Sequence, residues 1–425
     1  MTLKQYPLIG ESLYEACLPN GLRIRIVPKK DFARKLAFLS VDFGSIDTSF
    51  ILDGTQHTFP DGIAHYLEHK MFDMPDEDAN ALFAGWGASV NAFTSYTMTA
   101  YHFSCTEHFE DALSLLLRMV MTPYFTEESV AKEQGIIAQE ILMYEDSADS
   151  RVGEDLFRTM FPLHPVHVPI AGTVESISHI TAQMLYACHS AFYRPSNMVL
   201  CVVGDVDPET VLTIATTCTP TPLSSVPTRL YGSAPLLTEA KNTARTMDIS
   251  MPTFAMGFSC PPPAEGESTM YRELLGELAA EILAGEASPL YTRLYEEGLI
   301  DGTFSVGYES IKDACLLSVS GDSMEPGKVY EAILAEAERL ASEGFDEALF
   351  TRLLRSFLGR RIKDLDSFSA ICYRICAYEF EGYEYFTFPG EYDTLTARSV
   401  MEFLSAAVCR EHSAMAVVQP LEDSI

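Results

Sequence analysis

Apolar residues recur along the first half of the chain with two spacings. In some segments every second residue is apolar, which predicts strands, and in others every third or fourth, which predicts helices. In chain order the pattern predicts strands 22–28 and 36–43, a helix 63–74, strands 88–96 and 99–105, helices 108–121, 127–160 and 182–193, and a strand 198–203. Strands that alternate with helices in this way indicate a mixed unit of sheet and helices.

The same order of elements recurs after a segment rich in proline, threonine and serine. Residues 219–233 contain Pro220, Pro222 and Pro227, a composition typical of a linker. Beyond it the pattern predicts a strand 254–260, a helix 271–283, strands 303–308 and 314–320, helices 329–342, 346–363 and 367–378, and a strand 414–418. We therefore predict a duplicated α+β unit, with an N-terminal half at residues 1–218, a linker region at 219–245 and a C-terminal half at 246–425.

The charge of the chain is strongly acidic, with 60 acidic and 29 basic side chains and a formal net charge of −31. This balance argues against a nucleic-acid partner, because the phosphates would be repelled. It is typical of a solvated acidic surface, and the alternative is an acidic cavity that attracts basic peptides.

The sequence carries no feature of a membrane or secreted protein. No apolar run approaches the roughly 18–20 residues that a membrane span needs, and the start has neither the basic nor the apolar segment of a signal peptide. The ten cysteines include no CxxC spacing. We therefore expect reduced thiols, a cytoplasmic location and no membrane partner.

The predicted helix 63–74 carries residues at metal-ligand spacing. His65 and His69 stand at positions i and i+4, so both imidazoles lie on one helix face, where a single Zn²⁺ can bridge them. Glu68 precedes the second histidine and is placed to act as general base towards a water that the metal activates. The corresponding helix 271–283 contains no histidine, so we expect the chemistry in the first half only.

A catalytic zinc site usually has three protein ligands, so a third is required. Glu133 and Glu140 are seven residues apart in the predicted helix 127–160, which is two helical turns, so they point the same way. We assign Glu140 as the third ligand. Glu133 then supports catalysis by holding His65 or His69 in the required tautomer. The alternative interpretation of the motif is a surface helix with two solvated histidines.

The residues around these positions resemble the pitrilysin/insulinase family of zinc metallopeptidases, the inverzincins with an HxxEH motif. The resemblance covers nearly the whole chain and rests on the active-site helix 62–72, the edge strand 88–96, the pair Glu133 and Glu140, the segments 171–173 and 193–198, and a second-half signature at 288–294. It implies a bilobed clamshell of two α/β halves, each a mostly antiparallel sheet packed with helices. It also implies that a peptide adds to the edge strand at Asn91 and Ala92 by backbone pairing.

The chain departs from the family pattern in its second half. Family members that work alone place an arginine and a tyrosine seven residues apart there, and the tyrosine helps to stabilise the oxyanion. Arg293 is present as a candidate substrate contact, but the seventh position is Ile300, which cannot donate a hydrogen bond. The sequence is most similar to bacterial members that carry the zinc motif of a two-subunit peptidase. We therefore expect a homologous second subunit with an Arg/Tyr pair, or a homodimer.

These observations predict a zinc-dependent endopeptidase that acts on short or unfolded peptides. The alternative is a zinc-binding scaffold or maturation-associated subunit with little hydrolytic activity of its own. Ile300 favours this alternative, whereas the intact HxxEH motif argues against it, because a scaffold has no chemical need for Glu68.

Overall fold

A computed structural model of the protein describes residues 1–75, 78–220 and 226–421. Residues 221–225 of the predicted linker and residues 422–425 of the predicted C-terminal half lie outside the described residues. The strands are β1 Thr2–Tyr6, β2 Glu11–Cys17, β3 Arg23–Pro28, β4 Lys35–Val41, β5 Ser49–Leu52, β6 Thr55–Thr58, β7 Ser89–Thr94, β8 Thr99–Cys105, β9 Met198–Gly204, β10 Thr228–Arg229, β11 Lys241–Met247, β12 Thr253–Ser259, β13 Ser305–Ile311, β14 Ala314–Asp322 and β15 Ser413–Pro420. The helices are α1 Ile63–Lys70, α2 Ala79–Gly85, α3 Phe109–Met121, α4 Glu127–Glu145, α5 Ala148–Met160, α6 Val174–Ile177, α7 Ala182–Phe192, α8 Pro208–Cys218, α9 Thr269–Ala284, α10 Pro289–Glu296, α11 Pro326–Glu343, α12 Glu347–Lys363, α13 Phe368–Phe380, α14 Pro389–Tyr392 and α15 Ala397–Ala407.

The chain forms two compact units, each made of segments that are distant in sequence. The first unit consists of Met1–Ile141, Pro169–Tyr231 and Arg361–Pro389. The second consists of Leu142–Val168, Gly232–Arg360 and Gly390–Ile425. Each unit thus includes one helical segment from the other half of the sequence. The predicted boundaries of the duplicated halves, at residues 218 and 246, concern the repeat in the sequence and stay a prediction.

The first unit is built on a large sheet with strand order β1-β2-β3-β9-β4-β8-β7. Its neighbouring strands are antiparallel except for the parallel pair β3 and β9. All residues of β9 are buried, as expected for a central strand covered on both faces. Helix α13 packs against β4 and β9. Strand β7 lies at one edge of the sheet and pairs only with β8 among the strands of the described residues.

The second unit repeats this design with strand order β11-β15-β12-β14-β13. Again one pair, β11 with β15, is parallel and the others are antiparallel. Helix α5 packs against β11, β12 and β15, and α9 packs against β13. The prediction of two mixed α/β halves, each a mostly antiparallel sheet packed with helices, is confirmed.

The predicted helix 127–160 is wrong in its length. The apolar spacing continues from 127 to 160, which predicted a single helix, but the structure has two helices, α4 and α5. The hydroxyl of Ser147 accepts a hydrogen bond from the backbone N–H of Ser150 at 3.3 Å and caps the start of α5. A serine in this position satisfies a free N–H group that a continuous helix would not have. The break lets α5 pack within the second unit.

Candidate metal centre

Helix α1 begins at a position that only glycine fits well. Gly62 has φ of 87°, and a Cβ atom there would lie 2.4 Å from the carbonyl oxygen of Ala171. The hydroxyl of Ser176 donates a hydrogen bond to the carbonyl oxygen of Asp61 at 2.9 Å. The phenol of Tyr66 donates to the carbonyl oxygen of Val130 in α4. These contacts fix the start of α1 and attach the helix to α4, which carries the two glutamates.

Three of the predicted site residues form a compact cluster of metal-binding atoms. His65 Nε2 lies 3.6 Å from one carboxylate oxygen of Glu140, and His69 Nε2 lies 3.5 Å from the other. Donor atoms of the three residues all lie within 4.8 Å of one another. Two ligands of a tetrahedral zinc ion with 2.0–2.1 Å bonds are about 3.4 Å apart. The spacing and the chemistry of the donors therefore fit zinc, and in the described part of the chain no other His, Cys, Asp and Glu side chains form such a group.

Glu133 lies beside this cluster and contacts His69. Its carboxylate is 3.1 Å from His69 Nδ1, and this hydrogen bond lowers the pKa of Glu133. Burial alone would lower the pKa of His69, but Glu133 and the other nearby carboxylates raise it overall. A proton on Nδ1, held by Glu133, leaves the Nε2 lone pair free towards Glu140.

Lys70 is buried beside Glu133. Its side chain is 2% exposed, and Nζ lies 4.0 Å from the second carboxylate oxygen of Glu133. Nζ also donates to the carbonyl oxygen of Ser129 at 3.3 Å and pairs with Asp73. The buried ammonium helps to keep Glu133 ionised.

His65 is the more deeply buried of the two histidines. Burial and the neighbouring His69 lower its pKa to about 4, so the imidazole is neutral at pH 7, and neutral imidazole is the form that binds a metal. Its Nδ1 atom is buried and has no hydrogen-bond partner within residues 1–75, 78–220 and 226–421. The nitrogen of His65 that faces a polar partner is Nε2, which points to Glu140.

Glu68 is buried next to the cluster, with 7% of its surface exposed. Burial raises the pKa of its carboxyl group, while His69 and a hydrogen bond from Thr94 act in the opposite direction. That hydrogen bond joins Thr94 Oγ1 to Glu68 Oε2 at 3.0 Å. A carboxylate with a raised pKa accepts a proton more readily, which is the property that a general base needs.

The predicted substrate-binding residues lie in different units. Asn91 and Ala92 belong to the edge strand β7, which ends at Thr94 and so adjoins Glu68. Arg293 lies on α10 of the second unit and is exposed. Ile300 of the same unit is buried, with 5% of its surface exposed. The first unit thus brings together the residues predicted as ligands and base with the edge strand.

Sequence reasoning assigned no role to Thr94 or Lys70. Thr94 falls within the predicted edge strand 88–96, and its hydroxyl is the signal that could have identified it. The contact of Lys70 with the segment at Ser129 depends on how α1 packs against α4, so no spacing in the sequence reveals it.

Comparison with known proteins identifies the family. The model described as "Insulinase (Peptidase family M16)" matches residues 54–174, and "Peptidase M16 inactive domain" matches residues 179–357. The chain belongs to this M16 insulinase family, as the resemblance implied. It is 35% identical over 427 residues to "Uncharacterized zinc protease YmfH" of Bacillus subtilis (strain 168), with 98% of each chain covered.

Solved structures share the fold of this chain. An M16-like peptidase from Alicyclobacillus acidocaldarius has a TM-score of 0.91 and 31% identity, with 97% of this chain and 99% of that chain covered. The periplasmic protease PqqL from Escherichia coli has a TM-score of 0.76 and 17% identity. The match to PqqL covers 99% of this chain and 48% of the longer PqqL chain. Within the described residues, no helix is long and apolar enough to cross a membrane.

Proposed function

We propose that this protein is a zinc-dependent endopeptidase for short or unfolded peptides, with His65, His69 and Glu140 as the zinc ligands. The observation that carries the proposal is the spacing of the ligand atoms. Both histidine Nε2 atoms lie 3.5–3.6 Å from oxygens of Glu140, close to the edge of a zinc tetrahedron at about 3.4 Å. The name of the relative YmfH, a zinc protease, supports the choice of metal. Zinc, when bound, supplies a Lewis acid that polarises a carbonyl group and acidifies water.

Glu68 is the general base in this proposal. Its carboxylate takes a proton from the attacking water and passes it to the leaving nitrogen of the peptide. Burial, which raises the pKa of Glu68, favours the first step because the carboxylate then accepts a proton more readily. Glu133 keeps His69 oriented through the 3.1 Å hydrogen bond.

The substrate pairs with the edge strand β7. An extended peptide that adds beside Asn91 and Ala92 forms backbone hydrogen bonds with the open side of the strand. Because Thr94 of the same strand contacts Glu68, the added peptide lies close to the general base. Backbone pairing contributes affinity with little dependence on sequence, and it requires a segment that is unfolded.

A second, homologous subunit completes the enzyme. Ile300 is buried and has no hydrogen-bond donor in its side chain, so it cannot replace the tyrosine expected seven residues after Arg293. The chain corresponds in length to about half of PqqL, which supports a pair of such chains as the functional unit. We infer a partner that carries the Arg/Tyr pair; a homodimer of this chain is the alternative.

A second candidate function is a zinc-binding scaffold or maturation-associated subunit, and Ile300 is the observation that favours it. Scaffold and peptidase differ in what Glu68 does. A scaffold keeps its function when Glu68 is replaced by glutamine, whereas a peptidase loses it.

The test is cleavage of an unfolded, quenched-fluorescent peptide by the zinc-loaded chain, alone and mixed with a homologous Arg/Tyr subunit. We expect the mixture to cleave about two orders of magnitude faster than the isolated chain. A chelator should abolish cleavage, zinc should restore it, and Glu68→Gln should stay inactive in every mixture. Absence of cleavage by the chain alone, by the dimer and by the mixture, despite bound zinc, would favour the scaffold. Full activity of the isolated chain as a monomer would contradict the two-subunit inference, whereas full activity as a homodimer would favour the homodimer.

A further inference from the structure

Thr94 stands where the edge strand meets the buried Glu68. It is the last residue of β7 and pairs with Thr99 of β8. Its Oγ1 donates a hydrogen bond to Glu68 Oε2 at 3.0 Å. Within the described residues this is the hydrogen bond that the Glu68 carboxylate receives. Thr94 thus contacts one of the two carboxylate oxygens of Glu68.

The backbone that carries Thr94 is held firmly on both sides. The hydroxyl of Thr99 donates to the carbonyl oxygen of Phe43 at 2.9 Å, in a fully buried contact. The turn that follows Thr94 is closed by three hydrogen bonds between Ser95 and Met98, at 2.7, 3.0 and 3.1 Å. These contacts hold the backbone at Thr94 in place, so its hydroxyl can orient the carboxylate that it contacts.

We propose that Thr94 is a positioning residue for the general base, and this inference rests on the proposed function. The terminal torsion of a glutamate is broad and roughly two-fold, so an unrestrained carboxylate samples many orientations. A hydrogen bond from a hydroxyl to an ionised carboxylate is stronger than one between neutral groups. It holds Oε2 at Thr94 and leaves Oε1 to accept the proton of the attacking water.

The hydroxyl of Thr94 can be removed without removing the strand. Valine has the same branched shape as threonine and is favoured in strands, and the backbone pairing of β7 with β8 does not use the hydroxyl. Thr94→Val therefore isolates the orienting hydrogen bond, and Thr94→Ser restores a hydroxyl. Thr99→Val is the matched control, because it removes a threonine hydroxyl from the opposite position, where the bond is purely structural.

The experiment measures kcat, KM and zinc content for the three variants in the active enzyme, together with high-resolution crystal structures. Thr94→Val should lower kcat by about 10–100-fold with KM and zinc content unchanged, and Thr94→Ser should regain most of the rate. In the crystals the Glu68 carboxylate should turn away from its wild-type orientation in Thr94→Val and return in Thr94→Ser. Thr99→Val should lower the melting temperature without a comparable loss of kcat.

Two results would overturn the inference. One is a Thr94→Val enzyme with wild-type kcat and an unmoved Glu68 carboxylate. The other is a loss of kcat that serine does not rescue, which would indicate a structural role for Thr94. If the zinc-loaded wild type cleaves no peptide with any partner, the proposed function fails instead. The orientation of Glu68 in the crystals then still decides whether Thr94 positions it.

Discussion

Replacement of Glu133 by glutamine keeps the shape of the side chain and removes its charge. In the structure one carboxylate oxygen lies 3.1 Å from His69 Nδ1 and the other 4.0 Å from the buried ammonium of Lys70. The amide oxygen of glutamine can still accept a hydrogen bond from Nδ1–H, but the amide group then faces Lys70 with donors. A neutral acceptor also makes a hydrogen bond roughly half as strong as a carboxylate does.

His69 in Glu133→Gln is therefore a weaker zinc ligand, although it is still present. Groups that hydrogen-bond to a metal-binding histidine typically contribute 10–100-fold to metal affinity, which corresponds to about 1.4–2.7 kcal/mol. We expect the zinc dissociation constant of Glu133→Gln to rise by this factor. The measurement is a competition titration against a coloured chelator at neutral pH.

Glu140→Gln is the matched control, since it is the same replacement two turns along the same helix. It should lose most of the zinc, because two histidines alone hold zinc weakly. If Glu133→Gln lost zinc as completely as Glu140→Gln, Glu133 would itself be a ligand. If Glu140→Gln bound zinc like the wild type, the ligand assignment would be refuted.

Three further predictions test the site and its support. Glu68→Gln should keep zinc and lower kcat by about 10²–10⁴-fold. It should also raise the melting temperature of the zinc-free protein at neutral pH. Burial raises the pKa of Glu68, so the ionised form of Glu68 destabilises the fold above that pKa. Burial lowers the pKa of His69, but the neighbouring carboxylates raise this pKa overall. Protons should therefore compete with zinc for His69 at a higher pH in the wild type than in Glu133→Gln. Zinc titrations at several pH values measure this difference. Gly62→Ala should destabilise the fold by about 1–3 kcal/mol in chemical denaturation, whereas Gly85→Ala, whose added Cβ meets nothing within 4 Å, should change it little.

The sequence predicted those parts of the site that lie within one element. Strand β8 has the predicted bounds, and α1 begins at the predicted Ile63, because apolar spacing is a local signal. Spacings of four and seven residues fix which side chains share a helix face, so the pairs His65 with His69 and Glu133 with Glu140 followed directly.

Features that depend on packing between distant segments were not predictable in this way. The capping serine at 147 interrupts an apolar spacing that continues through it, so one helix was predicted where there are two. The inclusion of Leu142–Val168 in the second unit and of Arg361–Pro389 in the first is a tertiary property. The contact of Thr94 with Glu68 joins a strand to a helix, and no periodicity within either element encodes it.

The most direct measurement is the position of zinc in crystals of the wild-type protein, from anomalous diffraction on both sides of the zinc absorption edge. We predict one peak per chain, about 2.0–2.2 Å from His65 Nε2, His69 Nε2 and a carboxylate oxygen of Glu140. A protein that cleaves peptide in a zinc-dependent manner but shows its zinc peak elsewhere, with none at these three residues, would contradict the assignment.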